Sequence, residues 1–281
     1  MKQITLLDGA VGTSLWAIAE REGVEKVPVW RYNVEHPEFV EELHRRYVKA
    51  GSQIILSNTF GANGPIVARA SKHSVHDVVF EGVRIAKKAV EGTDIKVALA
   101  IGPLSQMMEP YGDLEEEEVE AIYEEQIAPG IEAGADIVYL MTFIDINMMV
   151  VAARVAKKFG KPVFCTMSFE KVGKTMFGNS VQTCIDELEP LGIDGIGMNC
   201  SIGPELAVPI MKTFVGKTNI PLVFKPNAGL PITNADGTVI APYDAAKFTE
   251  EIAPAFEFVD YIGGCCGSDP SYVEALKAKM E

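Results

Sequence analysis

Glu132-Ala133-Gly134-Ala135-Asp136-Ile137 closes a segment of helical periodicity and opens a run of apolar, β-branched residues. Lys49-Ala50-Gly51-Ser52-Gln53-Ile54 does the same earlier in the chain. Glycine in that place takes the left-handed cap of a helix at no steric cost, and the chain turns directly into a strand. Working outward from these two joints, eight short apolar runs read as strands: 4–7, 54–57, 97–101, 137–141, 163–167, 195–199, 222–225 and 259–262. Most are continuous rather than alternating, as parallel strands buried on both faces should be. Between them, apolar residues recur at three- and four-residue spacing over 38–50, 75–90, 114–133, 146–158, 182–191, 205–215 and 244–255, which predicts helices. Eight β–α units with no break in composition predict a single (β/α)8 TIM barrel domain over 1–281. The alternative is a doubly wound open sheet. That fold would show a glycine-rich nucleotide loop after its first strand, and Asp8-Gly9-Ala10-Val11-Gly12 is a poor match.

The barrel places its chemistry at the carboxyl ends of the strands. Polar or special residues collect there: Asp8, Asn58-Thr59, Gly102-Pro103, Thr142, Ser168, Asn199-Cys200, Pro226-Asn227 and Cys265-Cys266. The sixth and eighth strands are near neighbours only if the sheet closes, and closure would bring Cys200 to the Cys265-Cys266 pair. Adjacent cysteines do not readily bond each other, and three thiolates suit one soft cation. Three protein sulfurs leave the fourth tetrahedral position of a zinc ion open, which is the arrangement of a catalytic site. A substrate thiol is the expected occupant. A buried cysteine can also be a small hydrophobe, but that reading does not explain a Cys-Cys pair set among three glycines. It does suit Cys165, inside a strand, and Cys184, inside a helix.

The 281-residue chain is 48% apolar, enough for one large core, and its net charge of −14 argues against nucleic acid or an anionic membrane as partner. No apolar run approaches the roughly 20 residues of a membrane span, and no signal peptide is expected at the Met-Lys-Gln-Ile-Thr start. Five cysteines without a secretory signal point to a reducing cytoplasmic setting.

Five segments together resemble the homocysteine S-methyltransferase family, which includes the N-terminal modules of cobalamin-dependent methionine synthase and betaine–homocysteine methyltransferase. They are Leu6-Leu7-Asp8-Gly9-Ala10, Ser57-Asn58-Thr59-Phe60-Gly61, Gly197-Met198-Asn199-Cys200-Ser201, Lys225-Pro226-Asn227-Ala228-Gly229 and Gly263-Gly264-Cys265-Cys266-Gly267. The resemblance implies the same closed barrel, Cys200, Cys265 and Cys266 as zinc ligands, and Asp8 as part of the homocysteine pocket; Thr59, Met141 and Asn199 are expected to shape the substrate pocket with it. It also implies a methyl group moving onto a thiolate of the homocysteine type.

At one position the chain departs from the pattern. The family usually carries Glu-Thr at the end of its fourth strand, where the glutamate helps recognise the amino group of homocysteine. Here the segment reads Leu140-Met141-Thr142-Phe143. A methionine sulfur is a weak acceptor for an ammonium group. Either another carboxylate takes the role, Asp145 being a candidate, or the acceptor lacks the amino-acid head group. A third option is a demethylase component that delivers methyl from a methylated small molecule to a corrinoid protein. A barrel with no folate or cobalamin domain of its own would draw on a separate methylcobalamin-carrying protein or, second, on S-methylmethionine. A catalytically silent zinc-binding, partner-binding barrel is the reading from another class. A metal-free aldolase-like barrel using Lys225 is a further one.

Other features have plain expectations. Met107, Met108, Met141, Met148 and Met149 read mainly as core and rim packing, with an adaptable pocket lining as the alternative. Asp113 and Glu115–Glu118 suit the first turn of a helix. None of His36, His44, His73 and His76 is expected at the metal, and Lys225 is read as a carboxylate anchor or a charge beside the thiolates.

Overall fold

The computed structural model describes residues 2–229, 232–233, 239–240 and 242–281. Its strands are β1 (Thr5–Leu6), β2 (Ile54–Leu56), β3 (Lys96–Ile101), β4 (Ile137–Phe143), β5 (Val163–Met167), β6 (Gly195–Asn199), β7 (Leu222–Lys225), β8 (Ile232–Thr233), β9 (Val239–Ile240) and β10 (Tyr261–Ile262). Eight of them form one parallel sheet in the order β1-β10-β7-β6-β5-β4-β3-β2, while β8 and β9 pair antiparallel on their own. A parallel bridge from Leu7 to Ile54 joins the two edges. Gln53 strengthens that seam: its amide N–H donates to Leu6 O at 2.7 Å and its side chain accepts from Leu6 N at 2.9 Å. The architecture is that of a (β/α)8 barrel, as the alternation predicts.

Between the strands run α1 (Gly12–Arg21), α2 (Tyr32–Glu35), α3 (Pro37–Ala50), α4 (Gly64–Ala70), α5 (Val75–Ala89), α6 (Glu116–Glu132), α7 (Ile146–Lys157), α8 (Val181–Leu188), α9 (Pro204–Lys212), α10 (Ala245–Ile252) and α11 (Pro270–Met280). Local chemistry sets their starts. Ser74, Ser180 and Asp244 each accept a backbone N–H from the first turn of the helix they precede, satisfying a donor that has no partner within the helix. Glu115 is the N-cap of α6, with Glu118 reaching back to its amide at 3.0 Å, so the acidic run faces the positive helix end as expected. α3 ends on Gly51 at φ 109°, the left-handed cap read from the sequence.

Two apolar regions result. On β4, Ile137, Tyr139 and Met141 pack inward with Leu7, Ile54, Leu56, Ala98, Ala100, Phe164, Val223 and Cys265. The alternate residues Val138, Leu140 and Phe143 face the helices and belong to the larger outer core, with Leu99, Ile127 and Val155 among many others. The period-two alternation sorts each strand between these two regions. β6 passes so close to β7 that a Cβ on Gly197 would lie 1.9 Å from Val223 O, so only glycine fits there.

Differences from the sequence reading have local causes. β4 runs on to Phe143 because the pairing shifts register between Leu140 and Phe143. The last strand is confined to Tyr261–Ile262, since Asp260 takes Leu222 N–H with its side chain at 2.8 Å and starts the ladder there. The helix read over 182–191 gives way after Leu188 to a 3-10 turn carrying Pro190. Among the described residues, no helix is long and apolar enough to cross a membrane.

Candidate metal centre and its cavity

β6 and β10 end on opposite flanks of β7, and the chain that leaves β7 ties both cysteine segments into place. Cys200 N donates to Lys225 O at 3.0 Å, Cys265 N to Pro226 O at 2.8 Å, and Ala228 N to Cys266 O at 2.9 Å. Cys200 and Ser201 both sit at φ 62°, an uncommon left-handed pair that turns the chain sharply at the strand end. Ser268 fastens the other cysteine loop: its hydroxyl donates to Cys265 O at 2.6 Å and accepts Ala10 N–H at 3.2 Å.

The three sulfurs of Cys200, Cys265 and Cys266 lie within 4.8 Å of one another, the Cys200 and Cys266 sulfurs 3.4 Å apart, and all five cysteines are free thiols. Zinc at about 2.3 Å from each sulfur places tetrahedral sulfurs ~3.8 Å apart, so small side-chain movements would seat the ion. Among the described residues this is the one group of His, Cys, Asp or Glu side chains close enough to hold a metal. Three soft donors with a vertex left toward a cavity fit a zinc ion. The Cys265 thiol is held well below its ordinary range, first by hydrogen bonds from Cys200 and Cys266, with Lys225 and Asn199 helping. Its hydrogen bond with Cys265 pushes the Cys200 thiol up. One negative charge is therefore already favoured at the cluster.

Those cysteines form part of the wall of a cavity of about 320 Å³. The rest of the lining is mostly apolar and comes from the β1 loop and α1 (Ala10, Val11, Trp16), Val29, Leu56, Phe60, Ala100 and Met141, with Ser57, Asn58 and Thr142 among the polar members. Lys225 also lines it. Its ammonium group pairs with the Asp8 carboxylate at 2.5 Å, and the two side chains are 1% and 0% exposed. The other Asp8 oxygen accepts Leu56 N–H at 2.7 Å. Burial raises the Asp8 carboxyl pKa, while Lys225 and the Leu56 amide pull it down.

The structure distributes the expected pocket residues as follows. Met141 lines the cavity beside the cysteines. Asp8 lies in the wall behind, committed to Lys225 and Leu56. Thr59 is fully buried and donates its hydroxyl to Ala100 O at 2.8 Å. Asn199 is also fully buried: its side-chain oxygen accepts from Thr142 N and the Thr166 hydroxyl, and its amide donates to the Thr142 hydroxyl, each at 2.7 Å. That clamp holds Thr142 at φ 66°, and the same amide points at the Cys265 sulfur from 3.8 Å. Asp145 caps α7 by accepting Asn147 N–H and is not among the lining residues. Met148 and Met149 are buried in the outer core, as is Met108, while Met107 is 50% exposed on the rim. No histidine lines the cavity. The sequence reading did not anticipate α1, although Leu15, Ile18 and Ala19 recur at helical spacing, and with it missed Trp16; it read Lys225 as a carboxylate anchor, which the ion pair bears out, without naming Asp8 as the partner.

Comparison with known proteins adds to this geometry. A family model described as homocysteine S-methyltransferase matches residues 5–280. The chain is 26% identical to methionine synthase of Mycobacterium tuberculosis (strain ATCC 25618 / H37Rv), over 99% of this chain and 25% of that protein. It is 27% identical to betaine–homocysteine S-methyltransferase 1 of Xenopus laevis, over 93% of this chain and 70% of that protein. The chain thus spans about a quarter of the methionine synthases that it matches. In structure it is similar to the homocysteine methyltransferase MmuM from Escherichia coli. The metallated form aligns at a TM-score of 0.81 and 24% identity, covering 99% of this chain and 96% of that one. The oxidized form aligns at 0.80 and 23%, covering 98% and 96%.

Proposed function

Because the chain belongs to the homocysteine S-methyltransferase family, we propose that it is a zinc-dependent S-methyltransferase acting on a thiol of the homocysteine type. The observation that carries this reading is the meeting of three cysteine sulfurs, from two strand ends, at the wall of a largely apolar cavity. Cys200, Cys265 and Cys266 would hold the ion, and MmuM, of the same fold, has been crystallised in a metallated form. Zinc bound there would keep an acceptor thiol deprotonated at neutral pH, which a free thiol is not.

The chain's own residues do the rest. The segment from Lys225 to Ala228 sets the spacing of the cysteines. Asn199 orients Thr142 and donates toward Cys265. The apolar walls exclude water from the nucleophile, so its charge is not dispersed by solvation. The acceptor sulfur forms its bond to the methyl carbon as the donor's bond to that carbon breaks, and the electron pair of the broken bond leaves with the donor. The product thioether is neutral and a weaker metal ligand, so it can depart.

The rim favours a macromolecular methyl carrier over a small donor. Among the described residues, Trp16 on α1 and Phe60, Met107, Tyr111, Val172 and Met176 on the loops after β2, β3 and β5 are the exposed large apolar side chains of this end of the barrel. The Tyr111 and Phe177 rings, 5.4 Å apart, join two of those loops. A separate corrinoid protein carrying methylcobalamin is the carrier proposed, with S-methylmethionine as the small-donor alternative. The same surface would serve the reverse reaction, demethylation of a small molecule toward a corrinoid. Five free thiols suit a reducing cytoplasm, and residues 1–281 are read as a single zinc-dependent methyltransferase barrel domain.

The test is Cys265→Ser. Zinc content is expected to fall from ~1 per chain to below about a tenth of that, with thiol methylation lost in parallel. A Cys265→Ser protein with full metal and full activity would sink the proposal.

A further inference from the structure

An α-amino group on the acceptor needs something in the cavity to receive an ammonium ion. Among the described residues that line the cavity, none carries a carboxylate. The nearest candidate, Asp8, is 0% exposed and has both oxygens engaged, one by Lys225 and one by Leu56 N–H. Asp145 is spent on the first turn of α7. Met141 stands in the lining with a thioether, a weak acceptor.

Four backbone oxygens around the cavity already accept a side-chain hydrogen bond. Around the cavity, Ala10 O accepts the Tyr47 hydroxyl, Val29 O the Asn58 amide, Asn58 O the Asn33 amide and Ala100 O the Thr59 hydroxyl, at 2.7–2.8 Å. Among the described lining residues, Lys225 is the one Lys, Arg, Asp or Glu side chain, and it is already paired with Asp8. A second cation brought there would lose its water and, among the described lining residues, would find no carboxylate to receive it.

Resting on the methyltransferase reading above, we propose that the acceptor of this chain is a thiol whose head group carries no ammonium, a neutral or carboxylate-bearing alkyl thiol, and that Met141 is the residue that sets this preference. The comparison that isolates the ammonium is L-homocysteine against 4-mercaptobutanoate, which is homocysteine without its amino group. Binding to the zinc-loaded full chain is followed by calorimetry and proton release, with no methyl donor present.

4-Mercaptobutanoate is expected to bind at least tenfold more tightly than L-homocysteine. Met141→Glu is expected to reverse that order, and Met141→Leu to keep it. L-Homocysteine binding the wild-type protein as tightly as its desamino analogue, or more tightly, overturns the inference and leaves the methyltransferase reading standing. Proton release with neither thiol overturns both. The wild-type comparison stands alone if Met141→Glu does not fold.

Discussion

Inside the barrel, a dozen or so side chains fill a narrow space that opens directly onto the cysteines; outside it, a much larger apolar layer holds helices to the sheet. Leu56, Ala100 and Met141 belong to the inner region and also line the cavity, as do Cys200 and Cys265. Leu99, one residue from Ala100, faces outward and packs on α6, where a Cβ on Gly130 would lie 2.6 Å from its methyl groups. Neighbours in sequence therefore answer to different demands. A change in the inner region alters the floor of the site, whereas a change in the outer layer is felt as stability alone. Two buried ionisable features, one from each region, are handled in opposite ways. The inner region pairs Asp8 with Lys225. The outer layer keeps His44 uncharged, fully buried on α3, with neither ring nitrogen hydrogen-bonded among the described residues.

The largest effect expected from this contrast is at the inner pair. Lys225→Met strands a buried carboxylate and should cost about 3–5 kcal/mol at neutral pH. The double replacement Asp8→Leu with Lys225→Met should cost less than Lys225→Met alone. Urea unfolding of the three proteins checks both statements, and equal losses in single and double variants would mean that the pair is not a coupled unit.

A smaller effect, of a different kind, is expected at His44. Burial pushes its pKa down to about 4, against about 6.5 in an unfolded chain. The unfolded state then binds more protons than the native state between those values, so stability rises with pH across that window and falls as the solution is acidified. The stability is fully present above the unfolded pKa, and about 2 kcal/mol of it should be gone at pH 5. His44→Leu should remove this component of the slope in urea unfolding measured from pH 7.5 to 5. A slope unchanged by the substitution would show that His44 is not its source.

The smallest effect lies at the edge of the outer layer. Ser74 accepts Asp77 N–H at 3.0 Å at the start of α5, and Ser74→Ala should cost ~1 kcal/mol with zinc content unchanged. A change in metal binding would mean that the two regions are less separate than described.

Legibility from sequence followed the same division. β5, β6 and β7 begin and end where the sequence runs do, because burial on both faces keeps them mostly apolar up to a polar strand end such as Asn199 or Lys225. The cysteine cluster was legible because its residue types are unusual and the closed barrel allows few places for three strand-end thiols. What was not legible was pairing across the fold. Nothing in the local sequence says that Lys225 will meet Asp8, 217 positions away, or that Asn199 will clamp Thr142 rather than face the cavity. Thr59 and Asn199 sit at strand ends, as pocket residues do, but their side chains are consumed by neighbouring backbone and side-chain groups. α1 escaped notice because it starts in Gly12-Thr13 straight after a glycine-rich turn, with no capping side chain to announce it.

The central claim is that Cys200, Cys265 and Cys266 hold a zinc ion with one position open to a substrate thiol. Zinc-edge X-ray absorption on the loaded protein tests it most directly. Three sulfurs at about 2.3 Å with one lighter atom are expected in the free protein, becoming four sulfurs when 4-mercaptobutanoate is added. A zinc ion already closed by four protein ligands, and unchanged by any thiol, would contradict the account.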